Sequence, residues 1–216
     1  MVWRLYGLTL RGDWDDVLAL ADRARELWIE SGKISAGYAI RGFVSARDVA
    51  LARQNEPLAE RLTAVIFDIF DQFAPEPVNV AQRDALRFKP DAIVDVLAAA
   101  ITRRRNPEGF ERILSLAADR DWPMPIEALE AARASYAPAK LRHVDLALGR
   151  AIAITTRDAA LLREVRAGYE AMHARPLIGR VRCELGRMTN DDAEIEAGLR
   201  ILRELGDQLQ IAKFER

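Results

Sequence analysis

Apolar residues recur along the chain at intervals of three and four, which is the spacing of one face of an α-helix. Across residues 13–31, for example, Val17, Ala21, Ala24 and Trp28 share such a face. Stretches that alternate apolar and polar residues hardly occur, so β-strands are not expected. The pattern predicts an all-α protein of about six antiparallel helix pairs joined by short loops.

Capping residues set the predicted boundaries of the first helices. Asp13 is a candidate N-cap for the helix over 13–31, and Gly32 is a candidate C-terminal stop. Further helices are predicted over the ranges 33–54, 57–73, 80–88, 91–104, 107–119, 126–136, 141–152, 161–172, 176–188, 195–202 and 208–214. The polar run 189–192 and Gly206 are expected to begin and end the penultimate helix.

Two closely spaced prolines, Pro75 and Pro77, interrupt this pattern. Because proline cannot continue a helix and restricts the residue before it, we interpret 74–79 as a candidate joint between repeats. We expect residues 1–216 to form a single helical-repeat domain. Since Trp3 already fits a helical pattern, we also expect this domain to be a segment of a longer chain.

Four glycines recur at a near-common spacing: Gly7, Gly42, Gly149 and Gly186 are separated by 35, 107 and 37 residues. A period in the mid-thirties is typical of paired-helix repeats. Small residues let neighbouring helices approach closely, so we expect these glycines to be helix-packing positions and not parts of a ligand loop.

One run of large and small residues resembles the first helix of the tetratricopeptide repeat; it consists of Trp3, Tyr6, Gly7 and Leu10. Ala19 lies where the second helix of that repeat has a small residue. Leu148-Gly149 and Leu185-Gly186 resemble the Leu-Gly pair of that repeat. The resemblance implies a tetratricopeptide-like α-solenoid. It lapses between about Pro75 and Tyr136, so the middle of the array is expected to be irregular.

The C-terminal segment 177–207 is similar to the degenerate helical-repeat regions of bacterial signal-transduction ATPases and cyclase-linked regulators. That resemblance implies a regulatory or scaffolding arm that binds a protein, a peptide or a neighbouring domain of the same chain. Two rival functions stay open: a small-molecule sensor, which predicts a closed apolar cavity, and an α-helical enzyme, which predicts clustered ionisable residues in a cleft. The oligomeric state, including a homodimer, also stays open.

Composition narrows the classes of partner. Thirty-two lysines and arginines balance 33 acidic residues, and a net charge of −1 provides no overall attraction to nucleic acid or anionic membranes. Cys183 is the one cysteine, which rules out an internal disulfide and fits a reducing compartment. With no apolar run near 18 residues and no signal-peptide pattern, we expect a cytoplasmic protein.

Motifs for chemistry are sparse. The chain has no phosphate-binding glycine loop and no metal-ligand spacing among His143, His173 and Cys183, so no cofactor is predicted. We expect Cys183 to be a small core residue, His143 a partly exposed helix residue and His173 a residue near a helix end. The carboxylate pairs Asp68/Asp71 and Glu127/Glu130, three residues apart, are expected to lie on solvated helix faces. The basic run 103–105 fits the C-terminus of a helix, where positive charge complements the exposed carbonyl groups. The alternative is that it binds a phosphate or an acidic peptide. We therefore expect no enzymatic activity.

In a superhelix of helix pairs, the first helix of each pair lines the inner surface. Arginine and tyrosine are common anchors of recognition surfaces. The candidate partner-binding residues are Tyr38, Arg41, Ser45 and Arg47 in the early part of the chain, and Arg180, Arg182 and Arg187 in the late part.

Overall fold

The computed structural model describes residues 2–33, 39–72, 82, 84–103 and 107–215. Helices account for 83% of the described residues, and no strand occurs among them. The all-α prediction is therefore confirmed. Along the same ranges, no helix combines the length and the apolar character needed to cross a membrane.

The helices are numbered in chain order. Those of the first third are α1 (Val2–Arg11), α2 (Trp14–Glu30), α3 (Ala39–Ala52) and α4 (Glu56–Asp71). Those of the middle are α5 (Ala92–Arg103), α6 (Pro107–Asp119), α7 (Ile126–Tyr136), a 3-10 turn (Ala137–Ala139), α8 (Arg142–Thr156) and α9 (Ala159–Ala171). Those of the last part are α10 (Arg175–Thr189), α11 (Asp192–Leu205) and α12 (Gln208–Phe214).

The structure confirms the residues predicted to begin and end α11, but not the cap predicted for α2. The Asp191 carboxylate accepts hydrogen bonds from the backbone N–H groups of Ala193 and Glu194, and so caps α11. Gly206 ends the same helix in a left-handed conformation, with φ of 69°. Asp13 precedes α2 as expected, but its carboxylate pairs with Arg11 and makes no capping hydrogen bond.

The predicted start of the second helix at Lys33 is wrong. Lys33 has a φ of 62°, which a right-handed helix does not accommodate, and the described helix begins at Ala39. Gly32, with φ of 75°, helps to end α2, as the sequence indicated. The candidate joint at 74–79 lies outside the described residues.

The chain divides into two compact units. Unit 1 combines Met1–Ala74 with Tyr169–Arg216, and unit 2 is Pro75–Gly168. Unit 1 is thus built from both ends of the sequence, whereas unit 2 is continuous. The single-domain interpretation of 1–216 stays a prediction.

In unit 1, helices pack on their sequence neighbours, and the ends of the chain also meet. Helix α3 lies against α1, α2 and α4, and α10 pairs with α11. In addition, α1 contacts α10 and α3 contacts α12. Gly12, with φ of 88°, lies in the turn between α1 and α2, where a Cβ would lie 2.6 Å from Leu205 Cδ2. These contacts join the N-terminal and C-terminal segments of unit 1.

Unit 2 has a continuous apolar core with α8 at its centre. Helix α8 packs on α6 and α7, and α5 packs on the same two helices. The core includes Phe110, whose ring stacks on that of Tyr136 at 5.5 Å between centroids. From Leu146 to Ala153 every residue of α8 is buried, so this helix is enclosed on all sides.

The recurring glycines do not share one role. At Gly186 a Cβ would lie 2.8 Å from the backbone nitrogen of Ile195, and at Gly149 it would lie 3.0 Å from Val165 Cγ2. These two are packing positions, as the sequence predicted. At Gly7, by contrast, a Cβ would have no neighbouring atom within 4 Å, so the predicted packing role is wrong there.

The open surroundings of Gly7 lead to a testable prediction. Gly7→Ala should raise the free energy of unfolding by about 0.5–1 kcal/mol, because alanine loses less backbone entropy in a helix and meets no steric obstacle here. Urea denaturation followed by circular dichroism measures this change. A loss of stability would show that the glycine is needed for packing after all.

Candidate functional site

The first group of candidate partner-binding residues lies mostly inside unit 1. Tyr38 falls outside the described residues. Ser45 is 0% exposed and its hydroxyl donates to the Arg41 carbonyl oxygen, while Arg47 is 3% exposed and its Nε donates to Thr63 Oγ1. Neither side chain is at the surface, because α3 is enclosed by α1, α2 and α4. Both side chains are therefore inaccessible to a partner in this structure.

Arg41 is half-buried and contacts another helix of its own unit. Its guanidinium carbon lies 3.4 Å from the centroid of the Tyr6 ring, a cation–π contact between α3 and α1. A partner that used Arg41 as an anchor would have to displace this contact.

Arg180 forms an ion pair with Asp207, the residue that caps the N-terminus of α12. Its Nη2 lies 2.9 Å from Oδ2 of Asp207, whose side chain is 1% exposed. The other oxygen of Asp207 accepts a hydrogen bond from the backbone N–H of Gln210 and so caps α12. Arg180 thus neutralises a buried carboxylate that the turn into α12 requires.

Arg182 and Arg187 also bind neighbouring parts of unit 1. Arg182 lies 3.3 Å from Glu194 and 3.4 Å from Glu170. Arg187 donates to the backbone carbonyl of Lys213, and its guanidinium carbon lies 4.6 Å from the Phe214 ring centroid. The three arginines of this group therefore connect α10 to α9, α11 and α12, and a structural role accounts for their positions.

The residues with ligand or nucleophile chemistry do not converge. His143 lies in unit 2, where its Nε2 is 3.3 Å from Oε2 of Glu111 on α6, whereas His173 and Cys183 belong to unit 1. Over the described ranges, no three His, Cys, Asp or Glu residues are grouped so that they could hold a metal ion. The sequence interpretation of Cys183 as a core residue and His143 as a half-exposed helix residue is confirmed.

Cys183 is chemically protected. It is fully buried, and burial, followed by the charge of Glu184, raises the pKa of its thiol to about 12. Because the thiolate is the reactive form, the native protein should not react with 5,5′-dithiobis(2-nitrobenzoate) at pH 8. After unfolding in urea it should release one equivalent of chromophore, and rapid reaction of the folded protein would contradict the buried position.

The other polar motifs have ordinary positions. Asp68 pairs with Lys33 at 2.8 Å, and Glu127 and Glu130 are exposed on α7, as the sequence indicated. Arg103 is the last residue of α5, whereas residues 104 and 105 of the basic run lie outside the described part. None of these residues adds a reactive group to the candidate site.

Sequence reasoning missed a buried ion pair in unit 2. Arg150 on α8 is 1% exposed, and its Nη2 lies 2.7 Å from Oδ1 of Asp119, the last residue of α6. A charge in an enclosed helix requires such a partner, because an isolated charge is costly to remove from water. The available signal was the position of Arg150 within an otherwise apolar stretch of α8, Leu146–Ala153.

Sequence reasoning also missed an apolar stripe on α5. One face of this helix, with Ile93, Leu97 and Ala100, is buried in unit 2. On another face, Val94 is 48% exposed and Ala98 is exposed, while Ile101 is half-buried and also packs against the core of unit 2. We call Val94, Ala98 and Ile101 the outer stripe; its positions i, i+4 and i+7 align along the helix.

Comparison with known proteins adds no candidate for this surface. No family model matches the chain, and neither a curated protein nor a solved structure matches it. The resemblance to tetratricopeptide repeats and to bacterial regulatory regions therefore stays a prediction from the sequence.

Proposed function

We propose that the protein is an interaction module, a helical scaffold that binds a partner protein or a neighbouring domain, in the manner of a regulatory arm of bacterial signalling or transcription control. The observation that supports this proposal most directly is the outer stripe on α5. A partner would cover Val94, Ala98 and Ile101 with an apolar helix or groove of its own.

The composition of α5 favours this interpretation. Single exposed apolar residues are common on protein surfaces, but three that align on one helix face form a continuous apolar strip. Asp95 is the one charged residue among the first eleven of α5, Ala92–Thr102. A helix that is apolar on more than one face is normally covered on each of them. Ala98, in the middle of the stripe, leaves room for a partner helix to approach closely.

The architecture that we propose is a modified solenoid. Successive helices pack against each other, as in tetratricopeptide-like arrays. In a linear solenoid each repeat contacts only its neighbours. The contacts of α1 with α10 and of α3 with α12 do not fit that rule, so we propose that within unit 1 the helix hairpins of the N-terminal and C-terminal segments pack together.

The earlier candidates for partner contact are less suitable. Arg180, Arg182 and Arg187 hold α10 against its neighbours, and Arg41 contacts Tyr6. A partner that recruited these side chains would have to break contacts within the protein, at a cost in binding free energy. Val94, which is 48% exposed, is open to a partner without such a rearrangement.

Substitution within the stripe tests the proposal. Val94→Asp should abolish the recovery of a specific partner when the tagged protein is purified from a lysate of its source cells, because a charge then lies within an apolar contact. The fold should persist, since Val94 is half-exposed and lies in the first turn of α5, where a negative charge is favourable. Quantitative mass spectrometry measures partner recovery.

Leu209→Asp is the matched control. Leu209 is 42% exposed and also lies in the first turn of its helix, α12, but it belongs to unit 1. Partner recovery should equal that of the unsubstituted protein. The proposal fails if both variants retain the same partners, or if the purified protein turns over a metabolite without any partner, which would favour the enzyme interpretation.

A further inference from the structure

We draw no further inference here: the strongest candidate, the half-buried contact of His143 on α8 with Glu111 on α6 in unit 2, carries nothing because no observation points to a ligand, a partner or a second state of this pair.

Discussion

Asp119→Ala should lower the free energy of unfolding by about 3–5 kcal/mol, because it removes the carboxylate that Arg150 contacts at 2.7 Å. The guanidinium of Arg150, whose side chain is 1% exposed, would lose this counter-charge inside unit 2. Urea denaturation at neutral pH, followed by circular dichroism, measures the loss. Hydrogen exchange of α6 and α8 should locate it in unit 2.

Asp145→Ala is the matched control for this prediction. Asp145 also pairs with an arginine, Arg133, at 2.8 Å, but both side chains are more than a third exposed. Exposed pairs contribute about 0–1 kcal/mol, so this variant should be nearly neutral. The double substitution Asp119→Leu with Arg150→Met should recover much of the lost stability, because an apolar pair needs no counter-charge. Equal effects of the two alanine variants would contradict the buried role of Arg150.

Gly198→Ala should destabilise unit 1 by about 3 kcal/mol, at the upper end of the range for overpacked cores. A Cβ at this position would lie 2.5 Å from Cys183 Sγ and 2.6 Å from the Gly179 carbonyl oxygen. Because backbone atoms cannot rotate away, α10 and α11 would have to separate. The shift in the midpoint of urea unfolding measures this cost.

Gly7→Ala provides the comparison for the same chemical change. Both glycines lie within helices, but only Gly198 has atoms of another helix in contact. The two substitutions should therefore change stability in opposite directions. If Gly198→Ala were neutral or stabilising, the close approach of α10 to α11 would be wrong.

The glycines within helices show how far the sequence determines the fold. Hydrophobic spacing, Asp191 and Gly206 locate the helices well, because caps and periodicity are properties of adjacent residues. Which glycine contacts another helix depends on how the helices assemble. Gly7 and Gly186 share a near-common repeat spacing, yet only Gly186 is in close contact.

The candidate site was harder to predict for the same physical reason. An arginine such as Arg180 has the same local sequence signature whether it binds a partner or its own chain. Its acidic contact, Asp207, lies 27 residues away and becomes a neighbour only after folding. The local sequence allows Arg47 to be a surface residue, because nothing in it shows that α3 is enclosed by neighbouring helices. The outer stripe of α5 was missed because which apolar face of a helix is buried depends on tertiary packing.

The central claim is that the outer stripe of α5 contacts a partner protein, and site-specific photo-crosslinking tests it most directly. Cys183 is buried with a raised pKa, so a benzophenone maleimide should label Val94→Cys and Leu209→Cys only at the introduced cysteine. Illumination in a lysate should give a discrete adduct from position 94 and none from position 209. No adduct at position 94, or the same adducts at both positions, would contradict the claim.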